Sequence, residues 1–293
     1  MGDQLVSGLL KKSNLRVLCV SAAESAQKAR DLAKLFPTSA AMLAQGLAAG
    51  AILGALQKDG TRLNFQVECE GPLHGLFVDA DAQGQVRGYV KNRNLAFVGD
   101  PAAHSRAVFG GAGFISVLRD LGNGEHYRSS VALQHFELGL DMEEYLHTSD
   151  QVDSRFVVEV SAVGEEGLGR VWALLLQALP DGDRPRLVQL GTALREQGGF
   201  RRAVDEHGGE GPLAVLKALF PDEDLEVMSR FPVAFSCSCS QERVLNALRT
   251  LGVPELQDLL AKEGKASVTC EFCATQYVIG AEDIRELIAQ AGR

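Results

Sequence analysis

Four of the chain's six cysteines fall in two tight pairs near its end, Cys237-Ser-Cys239 and Cys270-Glu-Phe-Cys273, with thirty residues between them. Two short pairs brought together across a helical insert make a four-coordinate tetrahedral site of thiolates, the arrangement of structural zinc. Such a closed site leaves no open position for substrate, which argues against metal catalysis. None of the six histidines lies beyond His207, so a mixed Cys/His site cannot be built from this region alone. A tetrahedral iron site draws on the same residue type; zinc is the reading adopted for Cys237, Cys239, Cys270 and Cys273.

The segment that carries the pairs, 232–293, is short, and a unit of that size draws only ~3–5 kcal/mol from its own core. Structural zinc in small peptides contributes ~10–16 kcal/mol of apparent binding free energy, which becomes folding free energy. Joining neighbouring cysteines instead closes loops of three or four residues, for which chain entropy allows roughly 2 kcal/mol per bridge before strain. Oxidation is therefore expected to melt this segment rather than lock it, which makes the cluster a candidate switch. The bland alternative is an inert zinc ribbon. Ribbons usually carry C-x-x-C at both ends, where turn amides quieten the thiolates, and C-x-C leaves less room for that.

The rest of the chain bounds where such a switch could work. Its 293 residues suggest about two domains, and 46% apolar with 23% charged residues is ordinary globular usage. A net charge of -9 argues against general affinity for nucleic acid or anionic membrane. The start, "MGDQLVSGLLKKSNL", has no apolar core of signal-peptide length, and Val6 stands where myristoylation needs Ser or Thr. The expected compartment is the reducing cytoplasm, where clustered cysteines mean metal or redox chemistry more often than structural disulfides. Cys19 and Cys69 lie in predicted strands and read as buried small hydrophobes.

"SAAESAQKARDLAKLF" reads as an amphipathic helix with a capping box from Ser21 and Glu24 and a stop at Pro37. The next stretch, Ser39–Leu56, is nearly all apolar, with Gly46, Gly50 and Gly54 four apart as in transmembrane dimer motifs. Eighteen residues rise only ~27 Å, barely a bilayer core, and Ala and Gly gain little on transfer. A buried soluble helix is the expectation.

Alternating patterns then predict strands over "TRLNFQVEC", "LHGLFVDA" and "QVRGYV", and a hairpin over 113–133 with Asn123-Gly124 at its turn. "DMEEYLHTSD" reads as a short helix, and "RFVVEVSAV" and "GRVWALLLQAL" as strands. Strands and helices come in blocks, which favours an α+β fold with mainly antiparallel sheet. From Pro180 the chain turns rich in Gly and charge with sparse apolar residues. The expected organisation is an N-terminal domain over 1–179, a weakly packed linker with short helices over 180–231, and a zinc-binding domain over 232–293.

At the cysteine pairs and their flanks, "CSCSQERVLNALRTLG" and "VTCEFCATQYVIGAEDI", the sequence resembles the heat shock protein 33 family of redox-regulated holdase chaperones. The likeness extends upstream through "GEHYRSSVAL", "DMEEYLHTSDQ" and "LLLQALP", so it covers essentially the whole chain. Departures are mild: Ser149-Asp150-Gln151 stands where the family tends to have Ser-Glu-Gln, and Leu146 where an aromatic is common. The resemblance implies an N-terminal substrate-binding domain, a linker that senses folding, and a C-terminal zinc domain. It further implies that zinc holds the reduced protein inactive. Oxidation then forms Cys237–Cys239 and Cys270–Cys273 disulfides, expels the metal, unfolds the linker for binding to unfolding client proteins, and leads to a homodimer.

Three rival readings are weighed against this one. A zinc ribbon binding nucleic acid or a protein partner meets the wrong sign of charge: from Cys237 onward there are six Lys or Arg against eight Asp or Glu, and zinc on four thiolates adds a further -2. A membrane protein would rely on 39–56 alone. A thioredoxin-like enzyme would need its C-x-x-C at a helix N-terminus. "FGGAGF" lacks P-loop spacing and its Lys, so it reads as a backbone turn and no ATP chemistry or enzyme activity is expected.

Overall fold

A computed structural model of the chain describes every residue except 1, 59, 99–103, 121–123, 162, 165–166 and 292–293. The chain divides after Ser236 into two compact units, Met1–Ser236 and Cys237–Arg293.

The first unit opens with the hairpin β1 (Gln4–Leu10) and β2 (Leu15–Ser21), then helices α1 (Ala23–Ala33) and α2 (Pro37–Ala55). Strands β3 (Arg62–Cys69), β4 (Gly75–Asp81) and β5 (Gln85–Val90) follow, with α3 (Ser105–Phe109) and the hairpin β6 (Gly113–Asp120) and β7 (His126–Ala132). Helix α4 (Leu138–Thr148) leads to β8 (Ser154–Val160), the short pair β9 (Val163–Gly164) and β10 (Gly167–Leu168), and β11 (Val171–Ala178). Helices α5 (Arg184–Arg195), α6 (Gly199–His207) and α7 (Pro212–Leu219) and strands β12 (Leu225–Pro232) and β13 (Ala234–Phe235) complete it.

One sheet runs β12-β1-β2-β11-β8 and is antiparallel throughout. The other runs β13-β5-β4-β3-β6-β7, with only β13 parallel to its neighbour. This is the mainly antiparallel α+β architecture that the block pattern of elements predicts. Of the predicted hairpin turn, Asn123 lies outside the described residues, while Gly124 has φ 83.

Helix α2 lies between the sheets, touching β3, β4 and β5 of one and β2, β8 and β11 of the other. Every residue from Thr38 to Gly54 is buried, which is why the helix is apolar all round. Its length and hydropathy would suit a membrane span, yet 94% of that stretch is buried inside the protein. The glycine triplet serves a helix-to-sheet contact. A Cβ on Gly46 would sit 3.2 Å from Val78, on Gly50 2.4 Å from a Val78 methyl, and on Gly54 2.6 Å from the Asp81 carbonyl oxygen.

Helix α1 is capped differently from the sequence expectation. Ser21 is engaged by the Gln4 amide at 3.2 Å, and the N-cap residue Ala22 makes no side-chain bond. Strand β1 instead carries Asp3 to the helix start, where its carboxylate accepts from the Glu24 amide at 3.1 Å and the Ser25 amide at 2.6 Å. A carboxylate satisfies two otherwise orphaned amides and suits the positive end of the helix dipole. Burial still raises the Asp3 pKa.

The five-stranded sheet is apolar on both faces; β11 is buried from Val171 to Gln177. One face meets α2. On the other, Val17, Cys19, Leu174 and Leu176 cluster with Leu187 and Leu194 of α5, Phe200 and Val204 of α6 and Leu216 of α7. The sparse apolar residues of 180–231 thus fall on one stripe of each short helix. With 12, 9 and 8 residues, these helices are at or below the length that stands alone in water, so the sheet face holds them. Polar ties reinforce α5: Arg195 bonds Glu143 and donates to the Phe156 carbonyl at 2.8 Å, and Arg186 pairs with the buried Glu223 at 2.7 Å. Strand β12 from the same segment forms the sheet edge beside β1. Cys19 is fully buried, as expected, whereas Cys69 at the end of β3 is only half-buried.

The second unit comprises α8 (Gln241–Arg249), α9 (Val253–Glu263), the hairpin β14 (Ala266–Thr269) and β15 (Gln276–Ile279), and α10 (Ala281–Ala291). Leu248, Leu256, Ala266, Ile279, Ile284 and Leu287 form its interior, a core of six buried side chains.

Alanine improves helix propensity over glycine by ~1 kcal/mol, while forcing a methyl into packed backbone costs ~1–3 kcal/mol. Gly54→Ala is expected to lower the urea midpoint, because the Asp81 carbonyl cannot rotate away as a side chain can. Gly46→Ala, with looser contacts to Val78 and Leu76, is expected to cost less. Equal or raised midpoints for both would contradict this packing.

Candidate metal centre

The two cysteine pairs are set by different local structures. Cys237 and Cys239 stand just ahead of α8, whose start is fixed by Ser240: its hydroxyl accepts from the Arg243 amide at 3.2 Å. Arg243 also reaches back to donate to the Ser238 hydroxyl at 2.6 Å, which holds the intervening residue of the C-x-C. Cys270 and Cys273 occupy the turn between β14 and β15. The Cys270 amide donates to the Thr275 carbonyl at 2.9 Å, the Ala274 amide to the Cys270 carbonyl at 2.9 Å, and Ala274 takes a positive φ of 55 to close the turn.

These supports bring all four predicted residues together. Their sulfurs lie within 4.8 Å of one another, and among the described residues this is the cluster able to hold a metal ion. Cys237 and Cys270 sulfurs are 3.7 Å apart, those of Cys239 and Cys273 3.3 Å. A tetrahedral ion with bonds of about 2.3 Å to sulfur has ligand–ligand edges of about 3.8 Å, so the donor set fits a thiolate-preferring metal such as zinc. The six cysteines are all free thiols. The close sulfur contacts run across the pairs as well as within reach of them, so the reduced site favours no single pairing.

Second contacts tune these sulfurs, and they came from residues that spacing did not single out. Burial raises the Cys270 thiol to about 12 even though the Cys273 and Phe272 amides point at it. Burial acts on Cys273 too, but the Thr275 hydroxyl, 3.2 Å away, and the Thr275 amide outweigh it and bring that thiol to about 6. The Cys239 sulfur accepts the Tyr277 phenol at 3.1 Å, and that bond raises the phenol to about 12. Thr275 and Tyr277 are two residues apart along an extended chain, so they share a face. That alternation after Cys273 is the signal that would have found them. A bound divalent cation deprotonates coordinating thiols outright and overrides the spread among them.

The other sequence features lie elsewhere. Residues 110–112 of "FGGAGF" lie just ahead of β6, where Gly110 takes φ 84 and a Cβ added to it would sit 2.7 Å from the Gly71 amide nitrogen and 2.9 Å from the Gly71 Cα. The C-x-x-C sits between two strands, as expected, and not at a helix start.

Comparison with known proteins agrees with this arrangement. The sequence model of the family described as Hsp33 protein matches residues 3–280. A "33 kDa chaperonin" of Picosynechococcus is 34% identical over 297 positions, covering 99% of this chain and 98% of its own length. One from Halalkalibacterium halodurans is 31% identical, covering 99% of this chain and 100% of its own. The crystal structure of a 33 kDa chaperonin (heat shock protein 33 homolog) from Thermotoga maritima superposes with a TM-score of 0.81 at 25% identity over 99% of both chains.

Cobalt(II) added to reduced, metal-stripped protein is expected to give tetrahedral thiolate absorption bands that saturate at one ion per chain. Cys270→Ser should remove the band pattern of four sulfurs and weaken binding by at least tenfold, the scale of losing a ligand contact. Unchanged spectra and affinity in that variant would show that Cys270 is not a ligand.

Proposed function

The chain belongs to the Hsp33 protein family, and on that premise we propose that it is an ATP-independent holdase chaperone activated by oxidation. The observation that carries the reading is the convergence of the four cysteine sulfurs within 4.8 Å in a unit whose core cluster, among the described residues, has six buried side chains. In the reduced state one zinc ion would sit on Cys237, Cys239, Cys270 and Cys273 and supply most of that unit's folding free energy. Oxidation removes two thiolates at a time from the metal, with Cys237–Cys239 and Cys270–Cys273 as the disulfides that the family resemblance implies. Short bridges of roughly 2 kcal/mol each do not replace a metal worth ~10–16 kcal/mol. Zinc leaves and the unit melts.

The consequence for 180–231 follows from its packing. Only Ser236 separates Phe235 of β13 from Cys237, so the chain passes from the sheet edge straight into the cluster. Once 180–231 lifts off, the apolar face bearing Val17, Leu174 and Leu176 and the stripes of α5, α6 and α7 are uncovered together. Unfolding client proteins would bind there by burial of their own apolar surface, and the same exposure drives the oxidised form to a homodimer. The reading places the protein in the reducing cytoplasm, with no membrane, nucleic acid or catalytic turnover involved.

Titration with peroxide, following zinc, free thiols and aggregation of an unfolding client in the same samples, tests this directly. About one zinc should leave as four thiols disappear, and suppression should rise in step. Zinc retained while other thiols oxidise, or lost with no gain in suppression, would refute the switch. The linker has its own test. Phe200→Ala removes a fully buried ring from the cover over the sheet and is expected to cost ~3–5 kcal/mol there. The reduced, zinc-loaded variant should then suppress aggregation partially without oxidant and show faster amide exchange across 184–219.

A further inference from the structure

Helix α2 ends at Ala55, and beside its last turn lies a cavity of about 500 Å³. The row of the five-stranded sheet that borders it is polar: Arg16 of β2 stands beside Gln177 of β11, and Gln177 beside Ser154 of β8. Side chains alternate along a strand, and Val17, Leu174 and Leu176 cluster with α5, α6 and α7, so Arg16 and Gln177 project to the side of α2. Leu53 and Leu56 at the helix end and Val152 ahead of β8 give the cavity an apolar wall.

Gln177 lines this cavity although only 5% of it is exposed. Its side-chain nitrogen donates to the Ser154 hydroxyl at 3.4 Å, and that hydroxyl donates to the Val152 carbonyl at 3.1 Å. With its proton committed, the hydroxyl can only accept, which fixes the amide and leaves its carbonyl oxygen as the other end. That oxygen meets no donor among the described residues. A buried acceptor left without a donor costs free energy until something supplies one.

The charges at the cavity do not cancel either. Arg119 and Asp150 neutralise each other through two hydrogen bonds of 3.0 and 2.7 Å, and Asp120 is engaged as well. Arg16 and Lys58 have no side-chain partner among the described residues. The turn that carries Lys58 is fixed: the Thr61 hydroxyl donates to the Lys58 carbonyl at 2.7 Å, and the Gln57 amide to the Leu53 carbonyl at 3.0 Å. Two unpaired cations, a buried acceptor and an apolar wall thus meet in one place. Water would serve the acceptor but would leave the cations and the apolar wall unused.

We propose that this cavity binds a small carboxylic acid that carries an amide N–H and an aliphatic group. This is the chemistry of an N-acylated apolar amino acid, and equally of a peptide chain end with an apolar last residue. Arg16 and Lys58 draw the carboxylate, the N–H donates to the Gln177 carbonyl oxygen, and the aliphatic group covers Leu53, Leu56 and Val152. The C-terminal end of α2 borders the cavity, and the negative end of a helix disfavours a bare anion, so the donor is part of the requirement. Every wall comes from within 1–179, which makes the site independent of the cysteine cluster and of 180–231. Binding therefore needs no oxidation.

The test titrates N-acetyl-leucine into the reduced, zinc-loaded protein and follows backbone amide shifts by NMR. Shifts should concentrate at Arg16, Gln57, Lys58 and Gln177 and saturate with a Kd of about 1 mM or tighter. N-acetyl-leucinamide, which lacks the acid, should bind about tenfold more weakly, and isocaproate, which lacks the N–H, about fivefold. Arg16→Gln should weaken N-acetyl-leucine about tenfold and leave N-acetyl-leucinamide unchanged, because the lost partner is the acid's. Gln177→Leu should weaken N-acetyl-leucine and leave isocaproate unchanged; should that variant fail to fold, the Arg16→Gln comparison decides alone. A general loosening of the fold would weaken all probes alike and would overturn the proposal. An acetylated tripeptide ending in leucine separates the two sources: tighter binding than N-acetyl-leucine assigns the site to chain ends, equal or weaker binding to the free acid. Shifts that fall elsewhere, that do not saturate, or that are the same for acid and amide overturn the proposal and leave the cavity to water.

Discussion

A sheet that is apolar on both faces needs two covers. The five-stranded sheet of this protein has one in α2, a helix so enclosed that every residue from Thr38 to Gly54 is buried. Its second cover is made of three helices, of which the longest has 12 residues and none would persist alone in water. The two covers differ in kind. Removing α2 would separate the two sheets and dissolve the domain, whereas 180–231 could lift away and leave β2, β8 and β11 still packed on α2. Asymmetry of this sort lets one segment be conditional while the rest stays folded, because local opening follows the elements with the fewest buried contacts.

The C-terminal unit has the complementary property. Its interior is six buried side chains, with helices α8 and α9 largely exposed, so apolar burial alone leaves it near the margin. A metal held by the four sulfurs, which lie at metal-binding separation, would add a constraint far larger than that margin. On the proposed reading the unit would have one dominant contact, and chemistry at that contact would decide whether it is folded. Disulfides usually strengthen small domains by closing long loops. Here neighbouring cysteines are separated by one or two residues, so the entropy recovered is at the low end of the range. On the proposed reading, metal and disulfide would draw on the same sulfurs, and the disulfide would be the weaker stabiliser.

The cysteines were legible because residue type and spacing alone define their chemistry, and the structure gathers Cys237, Cys239, Cys270 and Cys273 at one point. The strands over 62–90 and the burial of α2 were legible for a similar reason, since alternation and an all-round apolar helix are local signals. What escaped depends on tertiary contact. Asp3 caps α1 only because β1 runs past it, and Ser21, which fits the capping pattern, is occupied by Gln4. Gly46, Gly50 and Gly54 share their spacing with membrane helix pairs; that β4 is what approaches them is a property of the fold. Tyr277 was passed over as a strand residue, and its bond to Cys239 spans 38 positions that no local window joins.

The placement of the C-x-x-C differs from that of a dithiol catalyst. A dithiol catalyst keeps its attacking thiol at a helix N-terminus, where the dipole depresses the thiol pKa and returns the site to its starting state after each turnover. Cys270 and Cys273 sit in a turn between two strands, and Cys270 is raised to about 12 by burial. Cys273, brought to about 6, owes this to Thr275 and to the neighbouring Cys239 and Cys237 sulfurs, and lies 3.3 Å from the sulfur of Cys239. The charge around the site points the same way. With eight acidic and six basic residues from Cys237 onward, the net charge of the segment does not itself stabilise a thiolate cluster. Remove the cation and the negative charge of the sulfurs must be relieved by protonation or by oxidation. On the proposed reading, either relief would take away the constraint that a bound metal supplies to that unit.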